Sequence, residues 1–567
     1  MGNPYRHILM IYPEFPKTYW GGQYLLPLAG KKSLMPPLGL LTIAALTPAE
    51  YEFRLVDLNC EPLTDRDLEW AEIVCFSAML PQKTSLFDTA PRCQAAGKLV
   101  VFGGPFPTAC PEECRRYAAV LVLNEGEITW PAFLEDLARG TYKSLYTSEE
   151  KPDVTQTPIP RFDLVNLHDY GAVPLQFSRG CPFQCEFCDI IVMFGRRPRT
   201  KTPRQMTAEL EAVYNTGYRG MIFIVDDNFI GNKREVKKLL PEIAAWNKAH
   251  GHPFVYFTEA TVNLAEDEEL LKQMVRCNFK AIFVGVETPS KESLKETKKY
   301  QNMKRSLVES VNVIRHAGLM IMGGFIIGFD SDAEDIFARQ IEFIRQTAIP
   351  IAVVGLLVAL PGTPLYQRME QAGRLEPLDY DRSMLANGFT NIVSVLPRET
   401  LLAGYRRVIE TIYSPDQYMA RVFEALRGLP RPESLSVRIQ DLRLVWRMLR
   451  DLAQRRRKQG GILVRAKLLR QAFSQLPVEY KQEAWRLIWA ILRKRPDQLP
   501  RALAHVFVGI HFYRFSFESV LPELDLRLAQ LTAESAQENG RLASAANTAT
   551  SLPVPVNAER SSEHGPT

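Results

Sequence analysis

Three cysteines lie within eight residues, in the stretch Cys181-Pro182-Phe183-Gln184-Cys185-Glu186-Phe187-Cys188, entered through Phe177-Ser178-Arg179-Gly180. Thiols spaced C-x3-C-x2-C converge on one metal centre if the segment forms a tight loop. A tetrahedral zinc site needs a fourth ligand, and the common zinc spacings differ from this one. A cubic [4Fe–4S] cluster is normally held by four thiolates. Three thiolates leave one iron open to chelate a small molecule. The competing reading is three structural cysteines or a zinc knuckle.

The spacing, with aromatic Phe187 just before the third cysteine, resembles the signature of the radical S-adenosylmethionine (SAM) superfamily. That resemblance implies that Cys181, Cys185 and Cys188 hold the cluster while the open iron takes the amino and carboxylate groups of SAM. Electron transfer would then cleave SAM to a 5′-deoxyadenosyl radical, which abstracts hydrogen from inert C–H bonds.

The elements that must position this loop follow it. From Val173, strand-length apolar runs alternate with helical segments. Leu175-Gln176-Phe177 leads into the loop. Met221 to Val225 ends in Asp226-Asp227-Asn228, Phe254 to Phe257 in Thr258-Glu259, and Ala281 to Val286 in Glu287. Met320 to Ile327 carries Gly323, Gly324 and Gly328, and Ile351 to Leu360 ends in Pro361-Gly362-Thr363-Pro364. Polar residues recur at strand carboxyl ends, where a βα barrel builds its site.

The stretch resembles the six-stranded partial barrel of radical SAM enzymes. The resemblance implies that Asp226 and Asp227 meet the SAM amino group, although the family's usual Gly-Gly-Glu is replaced. Glu287 is implied to reach the ribose or methionyl group, Ile326 and Gly328 to pack on adenine, and Glu259 to face SAM or substrate. An N-cap or structural salt bridge is the alternative role for each acid. Arg196, Arg197, Arg199 and Lys201 suit pairing with carboxylates or cofactor phosphates, or a solvated basic loop.

Ahead of the barrel, strands are expected at His7–Tyr12, Tyr51–Asp57, Ile73–Ala78, Lys98–Phe102 and Ala119–Leu123, with helices between them. Apolar strands alternating with helices indicate a doubly wound parallel sheet, which binds ligands at its carboxyl ends. Asp57 and Asn59, Gly103 and Gly104, and Asn124 with Glu125 and Gly126 mark those ends. The absence of G-x-G-x-x-G after the first strand removes the dinucleotide fingerprint. The layout resembles the cobalamin-binding domain of radical SAM methyltransferases, so these residues are implied to contact cobalamin. A D-x-H-x-x-G motif is absent, and His7 starts a strand, so no histidine is expected below the cobalt. A scaffold that has lost its ligand is the alternative.

Domain limits are set at 1–145 for this Rossmann-like unit, 146–172 for a proline-bearing linker, 173–375 for the barrel, 376–529 for a helical domain and 530–567 for a disordered tail. The fold class is α/β with a helical C-terminal part. Between Arg431 and Arg501 stand 18 Lys or Arg against 6 Asp or Glu. Leu442–Leu452 and Tyr480–Leu492 show helical apolar spacing and include Trp446, Trp485 and Trp489. Such helices suit an anionic membrane surface or an ordinary helical cap with a basic face. The accessory domains of tRNA-modifying relatives are not seen, so no nucleic acid is expected as a partner. The six remaining cysteines are scattered and read as packing residues, and cysteine usage points to reduced thiols and a cytoplasmic protein; on the membrane reading, the basic C-terminal helices would add peripheral contact at the inner membrane face. No run of about 18 uncharged apolar residues occurs.

The three-part plan resembles the bacterial hopanoid methylases, and residues 178–198 resemble the C-2 methylase group. This implies C-methylation of an unactivated carbon of a lipid such as a hopanoid, using two SAM molecules, a [4Fe–4S] cluster and cobalamin. An electron donor such as a flavodoxin or ferredoxin is implied as well. The alternative is oxidative cyclisation or methylation of a tetrapyrrole or other small molecule. A different class of reading is a non-catalytic iron–sulfur sensor.

Overall fold

A computed structural model describes residues 5–377, 388–431 and 473–549. Two six-stranded parallel sheets dominate it. The first takes β1 (His7–Tyr12), β2 (Glu52–Asp57), β3 (Ile73–Ser77), β4 (Leu99–Gly103), β5 (Val120–Val122) and β6 (Leu145–Tyr146), in the order β2-β1-β3-β4-β5-β6. Side chains alternate across this sheet, as the strand period of two requires. Leu9, Ile11, Val74, Phe76, Val100 and Phe102 enter one core layer. Ile8, Met10, Ile73, Cys75, Leu99 and Val101 enter the other. Burial of both faces is why these strands read as continuous apolar runs.

The expected five strands are present, and β6 adds a sixth. Leu145 and Tyr146 pair with Leu121 and Val122. A two-residue edge strand has no sequence pattern long enough to announce it.

The second sheet contains β7 (Ala172–Leu175), β10 (Met221–Ile224), β11 (Val255–Glu259), β12 (Phe279–Glu287), β13 (Met320–Ile327) and β14 (Ile351–Leu356). Its order is β14-β13-β12-β11-β10-β7, a partial barrel whose end strands do not pair with each other. Pro174 sits in β7, an edge strand, where its missing N–H is tolerated. Between β7 and β10, β8 (Ser178–Arg179) and β9 (Arg199–Thr200) form an antiparallel pair. It closes the base of the cysteine loop. The next helix, Pro203–Asn215, starts on a capping box in which Thr202 Oγ1 accepts from Gln205 N at 3.2 Å.

Helices Arg398–Tyr413, Pro415–Gly428, Val478–Lys494, Leu499–Phe515 and Leu521–Ala549 pack against the barrel. Tyr405, Tyr413, Ile491 and Phe512 belong to the same core as the barrel residues Val284 and Val354. The connection after β1 ties all three units together. Tyr19 stacks on Phe512 and Tyr413 at 5.8 and 5.7 Å, its hydroxyl lies 2.8 Å from Ser516 Oγ, and Trp20 meets Phe283 of β12 at 5.0 Å.

The last helix runs beyond the boundary set at residue 529. The segment from Gln530, expected to be disordered, continues the last helix to Ala549. Ala, Glu, Gln and Leu dominate there, and their helix propensity carries the turn without an apolar stripe. The expected helix Leu442–Leu452 with Trp446, and residues 550–567, lie outside the described residues. All nine cysteines are free, and five of the six outside the loop are buried in the packing role expected.

Candidate active site

The cysteine loop is held from both sides. Gly180 has φ +93°, and a Cβ there would lie 2.8 Å from the Gly195 carbonyl oxygen, so only glycine fits. Cys181 N donates to Gly195 O at 3.2 Å, Glu186 N to Thr297 O at 3.0 Å, and Leu365 N to Glu186 O at 3.1 Å. Arg368 Nε donates to Glu186 Oε1 at 3.0 Å.

Cys185 is buried, while Cys181 and Cys188 are half-buried. Cys185 is close enough to interact electrostatically with both others. Asn228 Nδ2 points at Cys181 Sγ at 3.7 Å and Gln301 Nε2 at Cys185 Sγ at 3.4 Å. Amide donors to sulfur are what a thiolate-held cluster uses as an outer shell. Among the described residues no three His, Cys, Asp or Glu side chains close up around a single ion. Three thiols on one loop suit a polynuclear group in which each thiolate binds a different iron.

A cavity of about 400 Å³ opens between the carboxyl ends of the first sheet and the barrel. Gly103, Gly104, Glu125 and Gly126 line it, together with Gln176, Arg179 and Phe194 from the barrel side. Gly104 has φ +92°, and a Cβ would sit 2.6 Å from Ser77 Oγ; at Gly126 it would meet Ile43 Cδ1 at 2.4 Å. Packing behind these positions admits only glycine, so bare backbone lines the cavity wall there, which fits close approach of a large cofactor.

Three family models match the chain: the B12 binding domain over residues 28–134, the radical SAM superfamily over 175–344, and a domain of unknown function over 363–521. An uncharacterized methyltransferase of Synechocystis sp. is 46% identical over 75% of this chain and 79% of its own. The hopanoid C-2 methylase of Rhodopseudomonas palustris is 35% identical over 74% of this chain and 79% of its own. The chain belongs to the radical SAM methyltransferases that carry a B12-binding domain. Its fold matches the cobalamin-dependent radical enzyme OxsB, with aqua-cobalamin and SAM bound, at a TM-score of 0.57 and 16% identity, over 91% of this chain and 85% of that one.

A radical SAM methyltransferase of this kind uses a [4Fe–4S] cluster, SAM and cobalamin. The acids expected to touch SAM are sorted sharply by their surroundings. Asp226 accepts from Phe177 N at 2.7 Å and from Ser178 N and Oγ at 2.8 and 2.6 Å. These three bonds anchor the loop entrance on the Asp226 carboxylate. Asp227 differs: its Oδ2 is buried without a partner. Burial, and then the charges of Asp226 and Asp189, push its pKa up to about 7. Burial, and then Asp227 and Asp226, push Glu259 up to about 8. Two carboxyls short of counter-charge suit an incoming ammonium group.

Glu287 is the last residue of β12. It forms a buried ion pair with Lys299, so its carboxylate is held by protein. Its φ is +65°, at a register shift between β12 and β13. A Cβ on Gly285 would collide with Glu287 Oε1 at 2.5 Å and Lys299 Nζ at 2.8 Å. Ile326 and Phe187 share an apolar wall with Phe329 and Leu357. Gly328, at φ +102°, donates its N–H to Asp332 Oδ2 at 2.9 Å.

In the first domain, Asp57 and Asn59 lie outside the cavity lining. Asp57 accepts from the Tyr170 hydroxyl at 3.0 Å and from Asn59, which in turn donates to Pro13 O. They pin the loop after β1. His7 sits at the opposite, amino end of β1 and pairs with Glu72 at 2.9 Å. Of the basic loop, Arg199 bonds Glu125 at 2.8 Å and Lys201 pairs with Glu209; both are structural pairs with carboxylates. Lys299, Gln301 and Asn302 were missed by sequence reasoning. They follow a short helix rather than a strand, so no positional signal marks them.

Proposed function

We propose that this methyltransferase alkylates an unactivated carbon of an apolar lipid such as a hopanoid. The observation that carries the reading is the segment directly after Cys188. Ile190–Met193 forms one helical turn, Ile-Ile-Val-Met, with no residue buried, and Val192 is 47% exposed. Met193 and Phe194 continue it into the cavity wall. Leaving a contiguous apolar turn unburied beside the cluster loop is costly in water and suits an apolar ligand. The likeness to the hopanoid C-2 methylase supports the same substrate class.

When bound, the cluster with SAM and the cobalamin supply a hydrogen-abstracting radical and a methyl carrier. The chain's residues position and shield. Cys181, Cys185 and Cys188 would hold the cluster, and the Gly103, Gly104 and Gly126 cradle would hold the corrin ring. Asp227 and Glu259 offer acceptors to the SAM ammonium. Phe187 and Ile326 wall the adenine side, and Ile190–Phe194 excludes water from the substrate carbon. A flavodoxin or ferredoxin would supply electrons. The protein would work in the cytoplasm at the inner membrane face; among the described residues no helix is long and apolar enough to cross a membrane.

Anaerobic incubation of the reconstituted enzyme with methyl-labelled SAM tests this. Label is expected in a hopanoid extract and not in tetrapyrroles. Label in a tetrapyrrole, or a cyclised product without label, would replace the lipid reading.

A further inference from the structure

Helix Val478–Lys494 has two apolar faces. Tyr480, Ala484, Leu487 and Ile491 are buried against the protein. On the opposite side Val478, Trp485, Trp489 and Leu492 are 61, 55, 64 and 41% exposed. Their spacing of seven, four and three places them in one stripe along the full helix. A soluble helix needs only its inward stripe. Among the described residues nothing covers the two tryptophans of the outer one, the largest apolar side chains available.

The stripe's surroundings indicate which partner. Gln482, Arg486, Arg493 and Lys494 border the tryptophans along a wide surface trough, and Lys481 lies on the other flank. Of the acids on this helix, Glu483 is engaged by Arg486. Trp between Arg and Lys matches the bilayer boundary, where indole rings sit at headgroup depth and cations meet lipid phosphates. We propose that this face docks on an anionic lipid surface, seating Trp485 and Trp489 among the headgroups. This deepens the lipid-substrate reading and rests on it for its purpose, yet docking is measured without turnover, so the two fail separately.

The test uses the full chain and vesicles of phosphatidylcholine alone or mixed with phosphatidylglycerol. Expected is flotation with the mixed vesicles only, weakened at high salt, with Trp485→Ala/Trp489→Ala lowering the partition coefficient by about tenfold. Brominated lipid is expected to quench the wild-type fluorescence. Trp485→Phe/Trp489→Phe should keep most binding and lose that quenching. Because both tryptophans are exposed, the far-ultraviolet dichroism should stay that of the wild type. Equal recovery with both vesicle types, or quenching retained by the Phe variant, overturns the proposal. So does a concentration-dependent dimer abolished by the Ala variant without vesicle binding.

Discussion

Arg179, two residues ahead of the first cluster cysteine, places Nη1 2.8 Å from Glu125 Oε2 in the first domain, and Arg199 reaches the same carboxylate at 2.8 Å. Glu125 is at once a cavity-lining residue and the fixed point of the loop that carries the thiols. Cavity and cluster loop are therefore positioned by one buried ionic network rather than by the linker between the two units.

Removing the charge of Glu125 should show this. Glu125→Gln leaves Arg199 without its carboxylate, and a broken buried pair costs about 3–5 kcal/mol. A fall in Tm and loss of corrinoid on gel filtration are expected, with cluster iron retained. Unchanged corrinoid retention would separate cavity from network.

The same network gives an acid limit. Burial alone would raise the Glu127 pKa, but the hydrogen bonds and charge of Arg179 leave it lowered. A depressed carboxylate contributes stability above its unfolded pKa and loses it as pH falls through the folded value. The Tm of the apoprotein should therefore drop on acidification below about pH 4, and Glu127→Gln should flatten that part of the profile.

Glu259 and Asp227 act in the opposite sense. Their pKa values are raised to about 8 and about 7. Their favourable contribution is complete below the unfolded carboxylate range and is lost as pH rises through the folded values. Apoprotein stability should decline between roughly pH 4.5 and 8, and Glu259→Gln should remove part of the decline while weakening SAM binding. Thermal melts across pH and equilibrium dialysis of SAM measure the two effects.

Lys299 carries its charge within reach of Cys185 and Cys188 and pairs with Glu287. Lys299→Met strands a buried carboxylate and should cost about 3–5 kcal/mol. It should also lower the cluster potential, since a nearby positive charge favours the reduced form. Redox titration followed by electron paramagnetic resonance reads the shift. Lys299→Met/Glu287→Leu should recover stability without restoring the potential.

Gly104→Ala adds a Cβ 2.6 Å from Ser77 Oγ at φ +92°. Backbone strain of about 1–3 kcal/mol is expected. The sharper readout is a fall in the bound corrinoid spectrum with the cluster spectrum intact.

The sequence by itself determined the C-x3-C-x2-C loop and nearly every strand of both sheets. Thiol spacing is local, and a strand buried on both faces writes its burial directly into a run such as His7–Tyr12. It also placed Gly103, Gly104, Glu125 and Gly126 at the cavity, because strand carboxyl ends are where such sheets bind. Only the tertiary structure decided which acids are free. Asp226 is taken by Ser178, 48 residues away, Asp57 by Tyr170, 113 away, and Glu287 by Lys299 beyond an intervening helix. A carboxylate's role depends on which donors and charges surround it once water is removed. Those neighbours come from distant segments that periodicity does not connect.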